Sequence, residues 1–140
     1  MKIHSFIIVS ALAMGLTVPA MAQQSMHRYV EFFKYADTAV KAMAENPQDR
    51  SGQAAKLAES FGGKFEVIYF FPAGSEYDGM VIGAFPDDAT RAAQGLFLRA
   101  TGNFTKIQAI PLMTAEEFKT AMEKVKNVKS SYTPPTATKQ

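Results

Sequence analysis

Runs of aromatic and branched residues, separated by short polar breaks, predict the first three elements of the chain. HRYVEFFKY at 27–35 is typical of a strand, and Asp37 behind it predicts the N-terminal cap of a short helix. ENPQDR at 45–50 ends that helix. Apolar residues then recur at the spacing of one face of a second helix: Ala54, Leu57, Ala58 and Phe61. Gly62 and Gly63 end this second helix.

Two further strands are predicted at 64–71 (KFEVIYFF) and 77–85 (YDGMVIGAF). PAGS at 72–75 joins them with the proline and glycine that turns favour, so we expect an antiparallel hairpin. Asp87 and Asp88 favour the start of the next helix. Its predicted apolar face consists of Ala89, Ala92, Ala93, Leu96, Phe97 and Ala100.

The last part of the pattern completes a recognisable order of elements. Gly102 ends the helix, FTKIQAI at 104–110 predicts a fourth strand, and TAEE at 114–117 predicts a capping box that opens a last helix, through about Val125. The order is therefore β, broken α, β, β, α, β, α. It predicts an α+β fold, a ferredoxin-like βαββαβ(α) sandwich with an antiparallel sheet.

Side-chain alternation divides each strand between two faces. In the second strand it assigns Phe65, Val67, Tyr69 and Phe71 to the helix-covered core, and Glu66, Ile68 and Phe70 to the opposite face. In the fourth strand it separates Thr105, Ile107 and Ala109 from Lys106 and Gln108. Two helices cover only one face of a four-stranded sheet, so we expect the other face to meet a second copy of the chain.

The N-terminus carries the features of a secretory signal peptide at residues 1–22. Lys2 precedes the apolar run FIIVSALAMGL, and AMA before position 23 suits cleavage after Ala22. The apolar run is too short to span a bilayer as a helix. We therefore expect a bacterial periplasmic or secreted protein with no membrane segment after cleavage, a single domain at 23–126 and a disordered tail at 127–140.

Charge and composition disfavour several classes of function. The chain has 15 basic residues and 13 acidic residues. Without Lys2, 14 basic residues remain, and this near balance of charge argues against nucleic-acid binding. The chain has no cysteine, and therefore no disulfide, thiolate metal site or thiol nucleophile. Phosphate-binding loops, dinucleotide-binding glycine patterns and the GxSxG motif are absent from the sequence. We expect no cofactor.

Six segments occur in an order that resembles the GYD domain family over roughly residues 26–122: YVEFFKY, ENPQDR, LAESFGGKFE, EYDGMVIGAFPDD, TGNFTKIQAI and TAEEF. The resemblance implies a dimeric α+β barrel, in which two ferredoxin-like sheets pack face to face, and a family that largely lacks an assigned biochemical function. Ser75 stands where the family often has glycine, and Ala84 where an acidic residue is common.

Tyr77 and Asp78 form the most conspicuous polar pair, and both are candidates for ligand binding. Adjacent residues of a strand point to opposite faces, so the two are not expected to act on one substrate atom. We expect Asp78 to accept hydrogen bonds from backbone or basic groups at the strand entrance, or alternatively to line a pocket. Gly79 and Gly83, which alternation places on the same face as Tyr77, leave space for such a pocket or for close helix packing.

Arg50 and His27 are the other candidate ligand-binding residues. Arg50 is expected to pair with a carboxylate or to bind an anionic ligand. His27 is the one histidine after the predicted cleavage site, and with no cysteine beside it we predict no metal site.

Two functions fit these observations. The first is a non-catalytic homodimer that binds a small, partly apolar molecule or a protein partner. The second is a cofactor-independent oxygenase or isomerase, as in similar α+β barrels, with Tyr77, Asp78 or His27 transferring protons. An enclosed pocket with an ionisable group would favour the enzyme, and a filled interior would favour the binding role.

Overall fold

Four strands and four helices follow one another in the predicted order in the computed structural model. The strands are β1 (His27–Tyr35), β2 (Lys64–Phe70), β3 (Gly79–Phe85) and β4 (Phe104–Pro111). The helices are α1 (Asp37–Glu45), α2 (Ser51–Ser60), α3 (Asp88–Ala100) and α4 (Ala115–Asn127). The strands form one antiparallel sheet in the order β2-β3-β1-β4, which confirms the ferredoxin-like prediction.

The structure describes residues 25–128. The predicted signal peptide at 1–22 lies outside these residues, as does the predicted tail from 129 onward. Position 127, where that tail was predicted to begin, is the last residue of α4. No helix within 25–128 has both the length and the apolar character that crossing a bilayer requires.

Two of the four helices, α3 and α4, begin at residues whose side chains cap the helix. The Asp87 side chain accepts a hydrogen bond from the Thr90 amide at 2.7 Å and caps α3. Thr114 and Glu117 form the predicted capping box of α4. The prediction for Asp37 is wrong, because Ala36 occupies the N-cap of α1 without a side-chain bond and Asp37 lies in the first turn.

A β-bulge in β2 changes which of its residues face the helices. Phe65 lies opposite Gly83, but Val67 lies opposite Ile82, so the register shifts between Phe65 and Val67. The face assignment is therefore correct for Phe65 and Glu66 and wrong for the rest of the strand. Ile68 and Phe70 lie on the helix side, whereas Val67, Tyr69 and Phe71 lie on the open side.

The predicted inner face of α3 is also wrong. Arg91, Gln94 and Leu98 are the buried residues of this helix. Leu98 is 9% exposed, whereas Leu96, on the predicted face, is 64% exposed. The inward face instead carries Arg91, which pairs with the acidic Glu31 of β1 on the helix side of the sheet.

The core lies between the sheet and α2, where Tyr29, Ala58 and Phe85 form a cluster against which Phe61 and Phe65 pack. The predicted inner face of α2 is thus confirmed at Ala58 and Phe61. Within 25–128, the main contacts between helices and the sheet are those of α2 with β2 and of α3 with β3 and β4. Large apolar residues of α4 are exposed: Phe118, Met122 and Val125.

Candidate functional site

A cavity of about 190 Å³ lies between the helix side of the sheet, α2 and the C-terminal part of α3. Apolar side chains form much of its wall, notably Leu57, Phe65, Ile68, Phe85 and Leu98. The polar lining residues are Glu31, Tyr35, Arg50, Gln53, Gln94, Thr101 and Asn103. Gln53, Thr101 and Asn103 are exposed and mark the side from which the cavity opens.

Glu31 and Arg91 form a buried ion pair beside the cavity. The Arg91 guanidinium donates to Glu31 Oε2, and the two side chains are 5% and 10% exposed for arginine and glutamate. Arg91 also lies 5.7 Å from the ring centroid of Phe85. Burial raises the pKa of Glu31, and the charge of Arg91 opposes that rise. The pair introduces two opposite charges into an otherwise apolar layer.

Arg50 is the only sequence-predicted candidate that lines the cavity. It occupies the N-cap position of α2, and its Nε atom is buried without a hydrogen-bond partner. The Tyr35 hydroxyl lies close to the Arg50 side chain. Burial raises the pKa of Tyr35, and the charge of Arg50 and a hydrogen bond from its side chain oppose this rise. The Tyr35 ring stacks on Phe104 at a centroid distance of 4.9 Å, which fixes its orientation.

Asp78 accepts a hydrogen bond from the backbone, which is one of the two roles that the sequence suggested for it. Its Oδ2 accepts a hydrogen bond from the Tyr35 amide at 2.8 Å, at the register shift where β1 leaves its regular pairing with β4. Its own amide donates to the Phe33 carbonyl at 2.9 Å. Asp78 therefore joins the entrance of β3 to the end of β1.

Replacing Asp78 should test this backbone role. Asp78→Ala leaves the Tyr35 amide without its acceptor, and we expect a loss of about 1–3 kcal/mol in the free energy of unfolding. Asp78→Asn keeps one oxygen acceptor, and we expect a loss of about 1 kcal/mol or less. Urea denaturation of both variants measures the difference. Equal losses in the two variants would contradict the hydrogen-bond account.

Tyr77 lies on the open side of the sheet, away from the cavity. Its hydroxyl donates to Gln108 Oε1 at 2.5 Å, and its ring lies 5.4 Å from that of Phe32. Lys106 Nζ lies 4.7 Å from the Tyr77 ring centroid. The prediction that Tyr77 and Asp78 do not converge on one site is therefore confirmed.

The two glycines that follow Asp78 have different surroundings. A Cβ atom on Gly79 would clash with the Tyr69 carbonyl and come within 2.6 Å of Phe33 Cζ, so this glycine permits close packing. Gly83 lines the cavity. Both glycines lie on the helix side of β3, whereas Tyr77 faces the open side, so the prediction that they share a face with Tyr77 is wrong.

His27 lies at the start of β1, in a separate cluster. Its Nδ1 is 3.6 Å from Asp88 Oδ1, and the Tyr29 hydroxyl donates to the same carboxylate oxygen. These contacts hold the pKa of Asp88 below its usual value, first through the Tyr29 hydrogen bond. Burial and the Asp88 carboxylate raise the pKa of Tyr29 to about 12. Within 25–128, no group of three or more His, Asp or Glu side chains is arranged as metal ligands.

Sequence reasoning missed the polar residues of the cavity other than Arg50. Glu31 carried a signal, because it shares strand parity with Tyr29, Phe33 and Tyr35 and is the one acidic residue on that apolar face. Nothing in the sequence indicated that Gln94 and Arg91 are buried, since a polar residue of a helix is normally assigned to the solvent side.

Comparison with known proteins places the chain in a family. The GYD domain family matches residues 29–122, and no curated protein matches. Among solved structures, the chain is similar to a NIPSNAP family protein of unknown function from Agrobacterium tumefaciens, with 14% identity over 66% of this chain and 91% of that chain and a TM-score of 0.43. A NIPSNAP-like domain protein from Burkholderia xenovorans shows 11% identity over 80% of this chain and 91% of that chain, with a TM-score of 0.41. Because the family match covers more than half of the sequence, the chain belongs to the GYD domain family.

Proposed function

We propose that the chain is an exported homodimeric domain that binds a small, partly apolar molecule in the cavity and does not transform it. The observation that carries this proposal is the cavity itself, with an apolar wall and a few convergent polar groups. Export rests on the N-terminal sequence pattern of residues 1–22.

The volume of the cavity limits the ligand to a small molecule. An apolar cavity of about 150 Å³ accepts one benzene molecule. The cavity in this chain, at about 190 Å³, has room for one ring and a short polar substituent. Its exposed side at Gln53, Thr101 and Asn103 gives such a molecule a route to solvent.

Ionisable groups line the cavity, and a pocket with an ionisable group was expected to favour an oxygenase or isomerase. The arrangement of these groups supports binding instead. Arg91 pairs with Oε2 of Glu31, and its charge opposes the rise in pKa that would make this carboxylate a better proton acceptor. The pKa of Tyr35 is raised by burial, so its hydroxyl stays protonated at neutral pH. The groups proposed for catalysis lie apart, since Tyr77 faces the open side and His27 contacts Asp88.

The open side of the sheet supports the homodimer. Its apolar residues form one continuous surface on neighbouring strands: Val30, Phe32, Val67, Tyr69, Phe71, Met80, Ile82 and Ile110. Ion pairs of Arg28 with Glu66 and of Lys106 with Glu76 lie among them. An apolar centre with charged groups around it is the composition of a protein interface, and a second copy of the same sheet would cover it.

Titration with benzyl alcohol, followed by amide chemical shifts in NMR, tests the binding proposal. We expect saturable shifts at residues of the cavity, and we expect Leu57→Trp to abolish them, because the larger ring occupies the space. Lys56→Trp is the matched control, since Lys56 is exposed on the same helix. The absence of saturable shifts, or equal binding to Leu57→Trp, would contradict the proposal.

A further inference from the structure

We infer that the ligand of the cavity is a small monocarboxylate whose anionic group binds to Arg50. This inference rests on the proposed binding function and adds the chemical class of the ligand. Its starting point is the Nε atom of Arg50, which is buried and has no hydrogen-bond partner in the part of the chain that the structure describes.

The Arg50 guanidinium also lacks a carboxylate partner, since the ion pairs within residues 25–128 do not include it. Asp49, its neighbour in the chain, accepts a hydrogen bond from the Ser51 amide at 2.8 Å. A buried donor of a charged group is costly to leave unpaired. An anion bound in the cavity would satisfy it.

The charge balance of the cavity favours an anion with a single charge. The Glu31 carboxylate is paired with Arg91. Of the charged residues that line the cavity, Arg50 is thus the one without an oppositely charged partner among the described residues. A dianion would leave one negative charge uncompensated in an apolar surrounding, whereas a carboxylate matches both the charge and the planar donors of a guanidinium.

The neighbouring groups fit such a ligand. The Tyr35 hydroxyl is close to Arg50 and supplies a second donor to a carboxylate oxygen. The apolar wall formed by Leu57, Phe65, Ile68 and Leu98 is available to the body of the ligand. A volume of about 190 Å³ holds one ring with its carboxylate, so benzoate is a suitable probe.

Calorimetric titration of the mature protein with benzoate and with benzyl alcohol tests this inference. The two probes have nearly the same shape and differ in charge. We expect wild type to bind benzoate about ten- to a hundredfold more tightly than benzyl alcohol, which is the effect of hydrogen bonds to a charged group. Arg50→Gln should lose this preference and still bind benzyl alcohol. Arg50→Lys should retain part of it.

The control is Arg99→Gln, which removes an exposed arginine that does not line the cavity. It should keep the full preference for benzoate. Wild type that binds both probes equally would overturn the inference and leave the binding function intact. Failure of both probes would overturn the binding function and the inference together. A preference that survives in Arg50→Gln, or disappears in Arg99→Gln, would show that Arg50 does not bind the carboxylate.

Discussion

Arg91→Leu is expected to lower the free energy of unfolding by about 3–5 kcal/mol at neutral pH. The reason is that the variant leaves Glu31 charged and unpaired at a site where its side chain is only 10% exposed. The leucine side chain itself should change the free energy of unfolding little, because the position of Arg91 is buried beside the apolar ring of Phe85. Urea denaturation followed by circular dichroism measures the loss.

The pH dependence of this loss gives the prediction a sharper test. Burial raises the pKa of Glu31 above its ordinary value of 4.5, and Arg91 opposes the rise. Without Arg91 the pKa should rise further, so the folded variant binds a proton that the unfolded chain releases. The stability of the variant should therefore fall as pH rises from 4.5 through the raised pKa. Its deficit should be greatest at neutral pH and smallest in acid.

A double variant separates the charge from the packing. Glu31→Leu combined with Arg91→Leu removes both charges, and we expect most of the stability to return, since buried ion pairs contribute little over apolar replacements. A deficit in Arg91→Leu that is independent of pH would contradict the account, as would a double variant that is no more stable than the single one.

Two aspartate substitutions on β2 should have opposite consequences. Phe65→Asp removes a side chain that packs against the core cluster and replaces it with a charge, so we expect a loss above about 3 kcal/mol and an unfolded chain. Val67→Asp places the charge on the open side of the sheet. The monomer should remain folded, and dimer dissociation should become easier by at least about a hundredfold.

This pair of variants depends on the β-bulge, because a regular strand would place both residues on one face. Sedimentation velocity gives the oligomeric state, and circular dichroism gives the fold. Val40→Asp is the matched control, since Val40 is exposed on α1 and should leave the dimer unchanged. A Val67→Asp variant that unfolds like Phe65→Asp would contradict the register. A wild type that sediments as a monomer would contradict the dimer.

The features predicted correctly from the sequence are those that depend on neighbouring residues. Asp87 caps α3 and Thr114 begins the capping box of α4, because each side chain bonds an amide three residues further along. The hairpin of β2 and β3 follows from the Pro and Gly residues between two apolar runs. Such local preferences were enough for the order of elements and hence for the fold.

The errors came from features that depend on distant residues. No glycine or proline marks the bulge between Phe65 and Val67, so simple alternation assigned most of β2 to the wrong side. The inner face of α3 was missed because an apolar stripe is normally buried, whereas Arg91 turns inward to meet Glu31, which is 60 positions away in sequence.

These departures surround the cavity, where conflict between local pattern and fold is expected if the residues serve binding. Glu31, Arg91 and Gln94 are polar residues at buried positions, where apolar residues are usual. Arg50 was a candidate from its charge alone. The burial of its Nε atom depends on how α2 packs against the sheet, and the sequence pattern does not contain that information.

Native mass spectrometry of the protein purified from its own source tests the central claim most directly, because it counts subunits and bound molecules together. We predict a dimer of chains that begin at Gln23, with a bound small carboxylic acid that collisional activation releases. Leu57→Trp, purified in the same way, should lack the bound molecule. Bare monomers, or an identical bound mass in wild type and Leu57→Trp, would contradict the account.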